Sequence, residues 1–146
     1  MDGRGSNRII LSSSLQETEL FGQSFARDLV ANQVIALHGQ LGAGKTSLAA
    51  SIIETLTKSP RREISSPTFT YLQTYEGRLP LFHFDLYRIA GEEQFLQMGF
   101  DEYFQQGGVC LIEWPEKIAS LLPTNTLHLH LSHEGETKRK IHVQSS

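Results

Sequence analysis

The chain has 146 residues, 39% of them hydrophobic, with 12 glycines, one cysteine and a formal net charge of −3. This is the composition of a single soluble globular domain with room for a real core. It excludes an intramolecular disulfide or a multi-cysteine zinc site built on Cys110, offers no apolar run of the roughly 18–20 residues that span a bilayer, and lacks the basic excess a free-standing nucleic-acid binder carries to meet phosphates.

The polar start of the chain, with Arg4 and Arg8, has no apolar stretch of the secretory kind, so a reducing, cytoplasmic setting is expected. Residues 8–11 read as a short strand, and Ser12, Ser13 and Ser14 as helix N-caps, because a short hydroxyl accepts from the first free N–H groups of a helix. Residues 15–30 place Leu15, Leu20, Phe21, Phe25, Leu29 and Val30 on a helical stripe, broken at Asn32 and Gln33. Residues 34–38 are apolar and predict a buried strand bounded by Gly39, and residues 45–56 predict a helix with Leu48, Ile52, Ile53 and Leu56 on one face. A polar loop over 58–66 precedes two strands, 68–74 and 80–86, joined by a turn at Glu76, Gly77 and Arg78. Residues 92–106 are helical in two pieces around Gly99, 109–113 form the second strongly apolar strand, and 115–121 a short helix. Residues 126–131 and 139–143 are the arms of a hairpin about Glu134 and Gly135. Strands alternating with helices predict a three-layer α/β fold with a mostly parallel sheet, and the last hairpin is expected to lie antiparallel at one edge.

The segment GQLGAGKT, residues 39–46, fits G-x-x-x-x-G-K-[ST] at every fixed position, with an apolar strand before it and an amphipathic helix after it. Backbone N–H groups can surround phosphates only where side chains are absent, which is the use of Gly39, Gly42 and Gly44. The helix that follows turns its positive end to the same phosphates. Lys45 adds a mobile charge near the β and γ phosphates, and the Thr46 hydroxyl is placed to ligate Mg2+. The motif points to a nucleoside triphosphate and says nothing of the reaction.

Such a site also needs a carboxylate at the end of a neighbouring strand to hold the metal. Glu113 follows the apolar run 109–112, and Asp85 follows 81–84. The carboxyl ends of buried strands are the ligand-binding edge of such a sheet. Glu113 is favoured for the metal because its strand is the more apolar; Asp85 then positions water or responds to the γ-phosphate. Thr68, in a loop that a γ-phosphate could order, is a candidate sensor, against the plain reading of a turn set by Pro67. Arg88 either reaches a phosphate or pairs with Asp85 or Glu92, and Trp114 is either a core aromatic or a wall of the nucleotide or partner site. The six histidines show no helical metal spacing, and His128 and His130, on one strand face, read as solvent-facing. Cys110 reads as inert core, and Lys138, Arg139 and Lys140 as a solvated edge that discourages strand pairing, with a nucleotide or partner contact as the alternative.

Four segments stand in order: QLGAGKT (40–46), SPTFT (66–70), HFDLYR (83–88) and IEWPE (112–116). Together they resemble the TsaE (YjeE) family of small bacterial P-loop ATPases, which act in making the threonylcarbamoyladenosine modification of tRNA. The resemblance covers roughly residues 14–123. It implies that Gly42, Ala43, Gly44, Lys45, Thr46 and Ser47 wrap the phosphates of ATP, that Thr46 and Glu113 serve Mg2+, that Asp85 lies in the catalytic region, that Trp114 is a functional wall residue and that residues 66–70 form a switch-like loop. It also implies work beside TsaB and TsaD, the latter transferring the threonylcarbamoyl group, with tRNA met only through that complex. The position after Gly39, usually acidic in that family, is Gln40 here.

An ATPase coupled to a partner complex is therefore the first reading. No D-x-x-G with a following Gln orients an attacking water, and Arg88 alone offers itself as a finger in cis, so turnover in isolation is expected to be weak. The absence of N-K-x-D favours adenine over guanine. A small metabolite or nucleoside kinase would close an Arg-rich lid, and residues 91–109 contain no arginine. A nucleotide-gated binding module, whose hydrolysis is incidental, is the third reading.

Overall fold

The computed structural model describes residues 7–40, 44–57, 59–65, 67 and 70–145, with Arg62 described in its backbone alone. Seven strands form one sheet in the order β1-β7-β6-β2-β5-β4-β3. They are β1 (Arg8–Ser12), β2 (Val34–His38), β3 (Leu72–Tyr75), β4 (Leu81–Asp85), β5 (Val109–Glu113), β6 (Leu127–His133) and β7 (Arg139–Ser145). The helices are α1 (Leu15–Arg27), α2 (Lys45–Thr57) and α3 (Glu92–Gln97), with 3-10 segments at Arg61–Glu63, Phe100–Gln105 and Pro115–Leu121.

The middle of the sheet is parallel: β6 and β5 flank β2, and β4 follows β5. β3 adds antiparallel on one side, β7 and then β1 on the other. The sequence places the terminal hairpin at an edge, and the structure does not. Its first arm, β6, runs parallel to β2 inside the sheet, and the edge is β1, which pairs with β7 from Arg8↔Val143 to Ser12↔Arg139. Hairpin signals fix the pairing of the two arms only; which outer strand each then meets is a long-range choice.

Alternation along the strands divides the interior in two. Ile35, Leu37, Leu81, Leu111, Leu127, Leu129, Ile141 and Val143 meet α1 and α2 on one face. Val34, Phe84, Cys110 and Ile112 meet Phe95, Phe100, Phe104 and Ile118 on the other. Helices α1 and α2 approach closely where Gly22 lies against Ser51, since a Cβ at Gly22 would overlap the Ser51 hydroxyl. Ser14 caps α1 as its sequence suggests: its hydroxyl accepts from the Glu17 N–H at 3.1 Å, while the Glu17 carboxylate accepts from the Ser13 N–H at 2.9 Å.

Several boundaries differ from the sequence reading. Helix α1 stops at Arg27 rather than 30, where the Asp28 and Leu29 N–H groups donate to the carbonyls of Phe25 and Ala26 and tighten the last turn. The predicted strand 68–74 forms as Leu72–Tyr75, while Thr68 and Phe69 lie outside the described residues. The two pieces about Gly99 are the short helix α3 and one 3-10 segment, with Gly99 in the left-handed region at φ 75°. Among the described residues no helix is long and apolar enough to cross a membrane.

Candidate active site

Strand β2 leads straight into the glycine-rich segment. Gly39 has φ 151° and Gly44 φ 100°, a conformation that side-chain-bearing residues avoid, so the sequence places glycine where the backbone must turn. Helix α2 starts at Lys45, with the Leu48 N–H donating to the Gly44 carbonyl at 3.0 Å. Gly42 and Ala43 lie outside the described residues. Thr46 is exposed at the first turn of α2, Ser47 is half-buried, and Lys45 is only 6% exposed.

The two candidate carboxylates end adjacent parallel strands, and register places each relative to the loop strand. Leu37 pairs with Glu113, and Glu113 pairs with Asp85. Glu113 therefore ends the strand beside β2, and Asp85 ends the strand beyond it. The period of two also turns His83, Asp85, Leu111 and Glu113 to the face that α2 covers. Thr46, Ser65, His83 and Glu113 line one recess there.

Glu113 is 5% exposed and its Oε2 accepts from His83 Nε2 at 2.7 Å. His83 Nδ1 is the one buried side-chain polar atom among the described residues without a partner. Asp85 is half-buried, and its Oδ1 accepts from the Tyr87 N–H at 3.1 Å. Burial pushes its carboxyl above the ordinary value, against the opposing pull of the Tyr87 N–H.

Trp114 follows Glu113 in the left-handed region, at φ 62°. That turn carries its ring to the loop side, where Lys45 Nζ lies 4.2 Å from the ring centroid and the Tyr87 ring 4.9 Å from it. The sequence left Trp114 between core and wall; it is half-buried, packs partly on the second core and touches the loop lysine. Glu92, one partner considered for Arg88, accepts from the Ser120 N–H and hydroxyl at 2.9 and 2.6 Å. Thr70 donates to the Leu72 carbonyl at 3.2 Å, so this end of the 66–70 segment is tied to β3.

The family model of threonylcarbamoyl adenosine biosynthesis protein TsaE matches residues 12–141. The chain belongs to the TsaE family. The tRNA threonylcarbamoyladenosine biosynthesis protein TsaE of Treponema pallidum is 41% identical over 133 residues, covering 91% of this chain and 97% of that protein. The Bacillus subtilis protein of the same name is 38% identical over 127 residues, covering 86% and 78%. The crystal structure of Bacillus subtilis YdiB matches with a TM-score of 0.78 at 31% identity, over 96% of this chain and 86% of that one.

Two residues to which sequence reasoning gave no firm role in the TsaE-like site lie within or beside it. His83 touches Glu113, a contact foreshadowed only by its place two residues before Asp85 on the same strand face. Arg139, read as part of a solvated basic edge with a nucleotide or partner contact as the alternative, lies against the loop: a Cβ at Gly44 would be 3.8 Å from its Nε. No local signal marks Arg139, because the parallel pairing of β6 with β2 is what carries the hairpin to the loop.

Proposed function

We propose that this chain binds ATP with Mg2+ and hydrolyses it as the cytoplasmic, partner-coupled ATPase of tRNA threonylcarbamoyladenosine biosynthesis, on a P-loop NTPase fold. The observation that carries the reading is the placement of Glu113 one strand from the glycine-rich loop, on the face that also holds Thr46. A hydroxyl and a carboxylate are oxygen donors, the set a hard cation such as Mg2+ takes. Membership of a family named for this modification supplies the pathway.

In this reading Gly39, Gly42, Ala43, Gly44, Lys45, Thr46 and Ser47 hold the phosphates through N–H groups, the lysine charge and the hydroxyls. Thr46 and Glu113 would hold the metal, which would supply positive charge to offset that of the phosphates. His83 keeps the Glu113 carboxylate turned toward α2 by its 2.7 Å hydrogen bond. Asp85, whose carboxyl burial shifts upward, stands on the next strand to orient or accept from a water. Lys45 leaves the Trp114 face for the phosphates, and Trp114 stays as a wall of the nucleotide site.

The kinase alternative loses its lid. The stretch that would supply one, Glu92–Gln105, buries Phe95, Phe100 and Phe104 against the sheet. TsaB- and TsaD-type proteins are the partners in this reading, with tRNA met through them; the net charge of −3 does not favour tRNA binding by the chain itself. The test is reconstitution of tRNA modification with TsaB and TsaD over several turnovers, with and without this chain. Sustained modification only in its presence is expected. Undiminished multiple turnover without it would refute the assignment, and a Glu113→Ala chain that still supports turnover would favour the nucleotide-gated binding module instead.

A further inference from the structure

Away from the carboxylates, on the opposite face of the sheet, three histidines converge. His38 ends β2, and His128 and His130 alternate along β6, so all three point from one face, and His38 is the register partner of His130. His38 Nε2 and His128 Nδ1 share a hydrogen bond of 2.9 Å, one ring donating to the other. The rings of His38 and His130 stack at 4.3 Å and those of His38 and His128 at 5.1 Å. One ring nitrogen from each of the three lies within 4.8 Å of the others. The reading of His128 and His130 as plain solvent-facing residues is therefore corrected: both are half-buried and packed on a third imidazole that the sequence places 90 residues from His128. Spacing rules see His-x-His on one strand and cannot see the strand that pairs beside it.

We propose that His38, His128 and His130 form a binding site for a borderline divalent transition-metal ion, Zn2+ being the ion of choice, separate from the oxygen-lined recess at Thr46 and Glu113. Three imidazoles and one open position are a donor set that suits zinc. A tetrahedral ion with bonds of roughly 2.0–2.1 Å sets its ligand nitrogens about 3.3 Å apart. The present spread of 4.8 Å lies above that spacing, so binding requires the three rings to turn toward a common centre. Burial pushes the His38 imidazole down to about 4 and lowers His128 and His130 as well, which favours the neutral ring a metal takes; the proton shared between His38 and His128 is given up or moved to the outer nitrogen on binding. Gln144, hydrogen-bonded to His130, is a partner that orients one ligand from outside the set. The site does not depend on the nucleotide reading, though His38 is bonded directly to Gly39 at the start of the loop.

The test is titration of the metal-free, full-length chain with Zn2+ by calorimetry, alongside His130→Gln and His83→Gln variants. The expected result is one saturable site, weakened tenfold or more in His130→Gln and kept in His83→Gln. Binding that vanishes in His83→Gln and persists in His130→Gln would place zinc at Glu113 and overturn the proposal, as would the absence of saturable binding. A second measurement needs no variant. Paramagnetic Ni2+ added to wild type should broaden the imidazole resonances of His38, His128 and His130 before those of the exposed His133, and uniform broadening of all histidines would also overturn it.

Discussion

Lys45 Nζ stands 4.2 Å from the centre of the Trp114 ring, so the lysine of the glycine-rich loop rests on the aromatic residue that follows Glu113. A cation over an indole face is held by about 0.5–2 kcal/mol. That is small beside what several phosphate charges offer the same ammonium, and the contact acts as a parking place that nucleotide can empty.

Because Trp114 is the one tryptophan of the chain, its fluorescence reports this contact directly. Adding ATP is expected to change the emission of the wild-type chain in a saturable way. Lys45→Ala should already show the emission of an uncovered ring and should lose ATP affinity by tenfold or more. An unaltered ATP titration in Lys45→Ala would show that the loop does not hold phosphate through this lysine.

The hydrogen bond of His83 to Glu113 gives a second expectation. Partners that orient a metal ligand from behind are typically worth about 10–100-fold in metal affinity. His83→Ala should weaken the Mg2+ dependence of ATP turnover by about that factor. ATP binding measured in EDTA should stay as it was. Equal losses with and without Mg2+ would mean that His83 supports the fold and not the carboxylate.

Acid should destabilise the metal-free protein through the histidine cluster. In the folded chain the His38 imidazole sits at about 4, lowered first by burial and then by His130, His128 and Lys45, against an ordinary value of 6.5. Between these values the unfolded chain binds a proton that the folded chain refuses, so stability rises with pH there. The stability present above pH 6.5 is lost as pH falls toward 4. Urea midpoints measured near pH 7 and near pH 5 should differ in wild type and differ less in His38→Gln. The same drop in both proteins would assign the acid sensitivity elsewhere.

The second core rests on Phe84, fully buried at the meeting of Phe95, Phe100 and Tyr103, with ring centroids 5.3 to 6.0 Å away. Phe84→Ala removes a large side chain where rigid strands cannot collapse, and should cost about 3–5 kcal/mol. Since Phe84 faces away from His83 and Asp85 on β4, the folded fraction should still bind ATP. Denaturant unfolding and nucleotide titration of the same sample separate the two effects. A loss below 1 kcal/mol would mean that this aromatic cluster is loosely packed.

Local pattern carried much of this molecule. The apolar runs of β2 and β5, the glycines at positive φ before α2, the Ser14 cap and the loop lysine and threonine are each short-range demands of backbone geometry or charge, legible from neighbours along the chain. The order of the strands was not. Register between β2, β5 and β4 is what sets Glu113 one strand and Asp85 two strands from β2, and the parallel placement of β6 is what brings Arg139 to the loop and His128 and His130 to His38. These contacts join residues tens of positions apart, and their closeness comes from burying both faces of one sheet at once, a condition on the whole chain that no window of sequence contains.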